Sequence, residues 1–413
     1  MKYFKIKTFF SSILSLVLGF AIGFIGNIFV SLPDSYKIPD KVTPHNHISS
    51  STPDADVINN SDVSIHFLEL GNKYTGDCIY IQVNDEQNNK EYDILIDGGS
   101  KTSSIPYITN YVDQYVTDGV LDFVIITHAH EDHYAGYATS KPEDSLFYHY
   151  TNNDKTIDKI ITFSNTNKTG TKTNMHGNYE DNLALAVASG AEHLTVLDCI
   201  KERYNSQGTE QGQKVYNLGT DDNGDLITLQ FLYTEFYEPT NKNPNVTENE
   251  YSVCFQLIQG EKRYLFTGDL EEEGEASLVE CNRSELKPVE VYKAGHHGSK
   301  TSSSEHFMEV IQPKIVVVCC CAGSSEYTSK NENQFPTQKF INNVSIWTKY
   351  IYVTTICLDY KSNSFESMNG TVTVCSNGKQ ETQVMCSNNS TLLKDTEWFK
   401  NNRTLPEGAV AWR

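Results

Sequence analysis

Phe123-Val124-Ile125-Ile126-Thr127 runs directly into His128-Ala129-His130-Glu131-Asp132-His133. A short apolar, β-branched run of this kind reads as a buried strand, and the polar residues after it read as a loop at the strand's end. Three imidazoles and an aspartate within six residues suit a borderline cation such as zinc. With 12 histidines in 413 residues, three at fixed positions plus one aspartate arise by accident in on the order of one chain in a thousand. In an extended loop His128 and His130 face one way while Asp132 and His133 turn toward a second position, and two metals about 3.5–4 Å apart fit such a loop.

Outward from this stretch, strands and helices alternate. Ser64 to Leu70, Cys78 to Val83 and Tyr92 to Ile96 read as strands, the last ending in Asp97-Gly98-Gly99, and an amphipathic segment spans Ile105 to Tyr115. A helix around Glu180 to Ser189 separates these from a second series: Leu226 to Tyr233, Tyr251 to Ile258, Arg263 to Phe266, Val289 to Lys293 and Lys314 to Cys319. Helices around Leu270 to Glu280 and Ser304 to Ile311 are interleaved. Two strand series with helices between them predict an α/β fold, two sheets sandwiched by helices.

Two further positions carry chemistry. Asp269 follows an apolar strand and Gly268, so its carboxylate sits where a loop opens; the competing use is as N-cap of the helix that starts near Glu271. His296 and His297 follow the strand Val289 to Lys293 in the same way, and adjacent histidines do not both point at one ion. His296 is assigned as the ligand and His297 as a catalytic neighbour that donates a hydrogen bond or touches substrate. Ser299 and Lys300 are candidates to hold an anionic group.

H-x-H-x-D-H after an apolar strand resembles the signature of the metallo-β-lactamase fold, and the other motifs come in that family's order. Asp97 is similar to its first motif, Asp269 to the carboxylate that bridges two metals, and His296 to the last histidine ligand. The wording Gly268-Asp269-Leu270 and His296-His297-Gly298-Ser299-Lys300, with Phe67-Leu68-Glu69-Leu70-Gly71 followed by Gly76-Asp77, resembles the extracytoplasmic hydrolase domain of ComEC-type competence proteins. The likeness covers about residues 64 to 376. It implies a metallo-β-lactamase-like αββα sandwich with His128, His130, Asp132, His133, Asp269 and His296 on one or two Zn²⁺ ions, and Asp132 also orienting the nucleophile. His130 stands where the oxygen-reducing branch of this fold usually carries Glu, which favours zinc over a di-iron centre. Two departures stand out. The histidine many such enzymes carry some twenty residues before the bridging aspartate is absent, leaving Asn249 or Ser252 in its place, and ComEC has many membrane spans.

The ends of the chain read differently. Lys2, Lys5 and Lys7 precede an uncharged stretch from Thr8 through Leu32, long enough for one membrane-spanning helix. The lysines put the N-terminus in the cytoplasm and the rest outside. A cleaved signal peptide, giving a secreted protein, is the alternative. The expected division is a signal anchor at 1–32, a flexible linker at 33–62, a hydrolase domain at 63–378 and a C-terminal extension at 379–413. His45 and His47 in the linker are expected to be solvated. The ten cysteines contain no C-x-x-C, and Cys319 to Cys321 read as small buried hydrophobes.

A formal charge of −20 speaks against tight binding of duplex nucleic acid, which needs a surplus of Lys and Arg on the binding face. The function expected is a membrane-anchored, extracytoplasmic metal-dependent hydrolase acting on small or exposed phosphodiesters. Surface phosphate esters such as phosphorylcholine groups, or lactones and lactams, are the alternative substrates. A metal-stabilised surface binding module without turnover is the alternative of another class.

Overall fold

The computed structural model describes residues 46–85, 87–201, 212–241, 245–406 and 409. The expected membrane anchor at 1–32 lies outside them, and no described helix is long and apolar enough to cross a membrane.

Strand β1 (Ile48–Ser50) and helix α1 (Ala55–Asn59) lead into β2 (Val63–Phe67), β3 (Ile79–Asp85) and β4 (Lys90–Ile96). Helix α2 (Ile105–Val112), β5 (Val120–Ile126), β6 (Thr156–Thr162), α3 (Met175–Ala188) and β7 (Glu192–Thr195) complete the first half. The second half runs β8 (Val215–Thr220), β9 (Leu226–Leu232), β10 (Cys254–Gln259), β11 (Lys262–Phe266), α4 (Glu272–Cys281), β12 (Val291–Lys293) and α5 (Glu305–Ile311). It continues with β13 (Ile315–Ala322), α6 (Gln338–Val344), β14 (Tyr350–Asp359) and β15 (Ser364–Ser367), after which β16 (Val372–Ser376), β17 (Gln383–Cys386) and α7 (Glu397–Asn402) close the described chain.

The strands form two sheets, in the orders β1-β17-β16-β2-β3-β4-β5-β6-β7 and β15-β14-β13-β12-β11-β10-β9-β8. Alternation decides what each face meets. On β2, Phe67 points inward and stacks 6.4 Å from Phe266 of the opposite sheet, while His66 points outward and bonds the Tyr111 hydroxyl of α2 at 2.9 Å. On β12, Val291 joins the shared core and Tyr292 turns outward onto Phe307 of α5. Helices therefore cover the outer faces of two packed sheets, the αββα arrangement. Each large side chain sealed between them contributes about 1.5–3 kcal/mol of burial.

Both expected domain borders need correction. Residues 48–62 are not a tether: β1 pairs in parallel with β17, Asp54 caps α1 through the amides of Asp56 and Val57, and Ile58 is buried against Cys375 and Met385. A polar composition hid one apolar anchor and one cap. His47 is half-buried, its Nε2 2.6 Å from the Tyr352 hydroxyl, and burial lowers its pKa to about 4. At the other end β17 lies inside the first sheet, so residues past 378 belong to the fold. Cys319, Cys320 and Cys321 are buried free thiols in β13, as the Val-rich run suggests.

Candidate metal centre

The parallel strands β4 and β5 end side by side and deliver the first components. Asp97, just past β4, takes a left-handed backbone (φ 57°), a conformation aspartate tolerates. Its carboxylate accepts from the Thr127 amide at 2.8 Å and from His133 Nδ1 at 2.8 Å. His128 follows β5 and His130 N-caps a single helical turn, Glu131–Tyr134, which carries His133 inward. Gly76 lets the loop after β2 pass against this turn, because a Cβ there would lie 2.6 Å from the Asp132 carbonyl. That passage places Asp77 in the site.

The second sheet supplies the rest. Asp269 follows β11 through Gly268 (φ 52°), where a Cβ would press on Ser252 and Thr127 at 3.0 Å. Asp269 is not a helix cap: α4 starts after Glu271, which makes no side-chain cap bond. His296 and His297 both adopt left-handed backbone (φ 44° and 53°), strain of the kind that concentrates at functional sites.

His297, not His296, is the histidine that this turn sends inward. It is fully buried, with Nε2 3.2 Å from Asp269 Oδ2 and 3.5 Å from Asp132 Oδ2. His296 stays partly exposed, with Nε2 3.9 Å from Asp269 Oδ2 and Nδ1 beside Thr301 (3.2 Å) and Glu271 (3.4 Å). Nothing in the alternation of a strand forecasts which of two histidines a left-handed turn buries. Among the described residues, Asp77, His133, Asp269 and His297 form the group whose ligand atoms converge, and Asp77 carries no sequence signal of its own beyond the Gly76-Asp77 resemblance.

Hydrogen bonds fix which ring nitrogens face the centre. His297 Nδ1 donates to the Cys319 carbonyl at 2.9 Å, and His133 Nδ1 is held by Asp97, so both present Nε2. The edges His133 Nε2–His297 Nε2, His133 Nε2–Asp269 Oδ2 and His297 Nε2–Asp269 Oδ2 measure 3.2, 3.1 and 3.2 Å. Ligand atoms on a tetrahedral zinc with bonds of ~2.0–2.1 Å lie about 3.3 Å apart, so this triangle has the size of one face of such a site. The charge balance fits as well. Asp77, Asp97, Asp132 and Asp269 face one buried ammonium, Lys293, which bridges Asp77 and Asp269. Asp77 Oδ1 is buried and meets the edge of the His297 ring, 3.3 Å from Nδ1. Lys293, at the end of β12, is the second residue sequence reasoning missed; a lysine closing a buried strand is the signal that was there to read.

Electrostatics divide the histidines. Burial alone would lower His133, but Asp269, Asp97 and Asp77 outweigh it and hold its pKa at about 10, and His297 is raised against burial by Asp269 and Asp77. Burial, then the neighbouring His133 and His130, pushes His128 well below the usual histidine range, and burial also lowers His130. His128 Nε2 lies 3.0 Å from His130 Nδ1. Asp269 and Asp132 are held low against burial, Asp269 first by His133 and Asp132 first by His297.

The remaining expected residues sit around this centre. Ser252 Oγ accepts from the Asp269 amide, so it supports the loop, while Asn249 Nδ2 reaches Glu271 at 3.1 Å and His296 at 3.5 Å. Ser299 is buried and bonds Thr301. Lys300 is exposed and lines a cleft of about 440 Å³ with Lys339, Glu250, Glu271, Glu272 and Glu273, where Lys339 pairs with Glu272.

No family model matches the chain. It is 33% identical over 93 residues to ComE operon protein 3 of Bacillus subtilis (strain 168), covering 22% of this chain and 12% of that protein. It is 36% identical over 110 residues to competence protein ComA of Neisseria gonorrhoeae, covering 27% and 15%. The chain thus spans less than a sixth of the length of these relatives, and over the matched stretch it is similar to ComEC-type competence proteins. Among solved structures, metallo-β-lactamase SMB-1 is similar at 13% identity and TM-score 0.26 over 56% of this chain and 81% of that one. A CmlA β-hydroxylase variant is similar at 10% identity and TM-score 0.31 over 63% and 46%.

Proposed function

We propose that the chain is a metal-dependent hydrolase of phosphodiesters, working outside the cytoplasm and anchored through its N-terminal apolar run. The observation that carries the reading is the triangle of His133 Nε2, His297 Nε2 and Asp269 Oδ2, backed by an excess of buried carboxylates. In this reading His133, His297 and Asp269 hold one Zn²⁺-class ion; Asp77 is engaged by Lys293, which leaves Asp132, 3.5 Å from His297 Nε2, as the fourth ligand, and His128 and His130 face a second position beside it. When bound, such an ion supplies a Lewis acid and a water acidic enough to ionise near neutral pH.

The chain's own residues do the rest. Asp97 and the Cys319 carbonyl lock the tautomers of His133 and His297. Lys293 pins Asp77 and Asp269 together and lowers the repulsion between them. Asp132, beside His297 and at the edge of the centre, is the carboxylate placed to orient an attacking water.

The reading is tested with the purified chain, metal analysis and bis-p-nitrophenyl phosphate. One to two zinc-class ions per chain and metal-dependent release of p-nitrophenol are expected. Less than about 0.2 ion per chain after zinc addition would sink the metal, and zinc without any phosphodiester turnover would sink the hydrolase. That second outcome would favour a metal-stabilised binding module, a reading with one observation behind it: the stretch some twenty residues before Asp269 carries Asn249 and Ser252 and no histidine, and these bond Glu271 and the Asp269 amide. Protease added to intact cells should reach the domain if it lies outside.

A further inference from the structure

The connection from β13 to α6, residues 323–337, passes over the mouth of the centre. Tyr327 sits on it with its side chain 57% exposed, yet its hydroxyl donates to Asp132 Oδ2 at 2.8 Å. Its ring lies 5.6 Å from that of Phe335, and Phe335 in turn lies 5.7 Å from His296 and 6.0 Å from His297. An exposed tyrosine ring and a half-buried phenylalanine ring thus stand beside the histidines of the centre.

This strap is held by the C-terminal segment. Arg403, 4% exposed, donates to the carbonyls of Asn331 (3.0 Å), Gln334 (2.6 Å) and Pro336 (2.8 Å) and to Asn331 Oδ1 (3.2 Å). Its guanidinium rests 4.8 Å from the Trp398 ring centre. The strap closes on itself through Gly323 N to Phe335 O at 2.9 Å, and Glu326 anchors its other flank on the Thr75 amide at 3.0 Å. Leaving an aromatic ring exposed on a strap this firmly fixed forgoes its burial energy, which an incoming apolar surface would recover.

We propose that Tyr327 and Phe335 form a binding wall that takes a planar, apolar substituent of a phosphodiester, and that Arg403 is the positioning residue that keeps the wall in place. The proposal rests on the hydrolase reading for its phosphodiester, and it adds which part of the substrate is recognised. A rigid aromatic pair gains contact area from a flat ring and almost none from a methyl group.

Diphenylphosphinate and dimethylphosphinate test it, because they carry the same charge as a phosphodiester, have no ester to cleave, and differ only in substituent. Calorimetric titration of the zinc-loaded full-length chain should show diphenylphosphinate binding roughly tenfold tighter. Tyr327→Ala and Phe335→Ala should each remove at least about threefold of that preference, read as the ratio of diphenylphosphinate to dimethylphosphinate affinity in protein of equal zinc content, and Tyr327→Phe should keep it. Arg403→Met should lower the preference, Arg403→Lys should restore part of it, and Arg403→Met should add nothing in the Tyr327→Ala background. Should Arg403→Met fail to fold, Asn331→Ala removes one of its partners and should act in the same direction. No preference in the wild type, a preference that survives Tyr327→Ala with Phe335→Ala, or an Arg403 effect additive with Tyr327→Ala would overturn the proposal. A preserved preference with no turnover of bis-p-nitrophenyl phosphate would sink the hydrolase reading alone.

Discussion

His128 and His130 share a site with His133 and His297, but the two pairs live in opposite electrostatic surroundings. In the first pair burial outweighs the pull of Asp132 and Asp269, and at His128 the neighbouring His133 and His130 add to it, so both rings are held neutral. The second pair is enclosed by Asp77, Asp97 and Asp269 and is held protonated in the metal-free chain. Neutral rings are ready to ligate but have little that fixes them; protonated rings are locked in place by acids and must release protons to ligate. The contrast teaches that the half built around Asp269 is held by ion pairs that serve the fold whether or not an ion is bound.

The largest effect expected from this contrast is on stability. His133→Ala removes the charged partner that Asp97 and Asp269 share and should destabilise the metal-free chain by about 3–5 kcal/mol, whereas His128→Ala should cost less than about 2 kcal/mol. Urea unfolding of both variants checks the ordering, and equal losses would erase the distinction.

Lys293→Met sharpens it. Removing the ammonium strands Asp77 and Asp269 and should cost about 3 kcal/mol in the metal-free chain. Because the variant has more uncompensated negative charge, zinc should raise its melting temperature more than it raises that of the wild type. A smaller zinc-induced rise would place Lys293 outside the electrostatics of the centre.

Much of this was legible in the sequence, for identifiable reasons. Short continuous apolar runs gave β5, β11 and β13, and Gly268-Asp269 marked a loop at a sheet edge. Long-range pairing was not legible: β1 is a three-residue, mostly polar strand whose partner β17 lies more than 300 residues away in the chain, and the following helix is held by a single buried Ile58 against Cys375 and Met385. Nor could spacing tell His296 from His297, since two successive left-handed residues decide which ring turns inward. Asp77 and Lys293 escaped because each is a single charged residue that acquires meaning only when two loops meet.

A third, smaller effect follows from protonation. His133, raised to about 10 from an unfolded value of about 6.5, adds stability that is fully present below about pH 6.5 and is lost as pH rises through about 10. The metal-free chain should therefore melt about 5 °C or more lower at pH 10 than at pH 7, and the zinc-loaded chain should show less of this drop. At pH 7, calorimetry in buffers of different ionisation enthalpy should register about one to two protons released with the first zinc ion. Zinc uptake without proton release would mean that His128 and His130, not His133 and His297, receive it.

Zinc content of His296→Ala and His297→Ala, measured side by side by elemental analysis after reconstitution and gel filtration, bears most directly on the centre assigned here. The account predicts that His296→Ala retains the wild-type content and that His297→Ala loses at least one ion per chain. Loss in His296→Ala with retention in His297→Ala would contradict it.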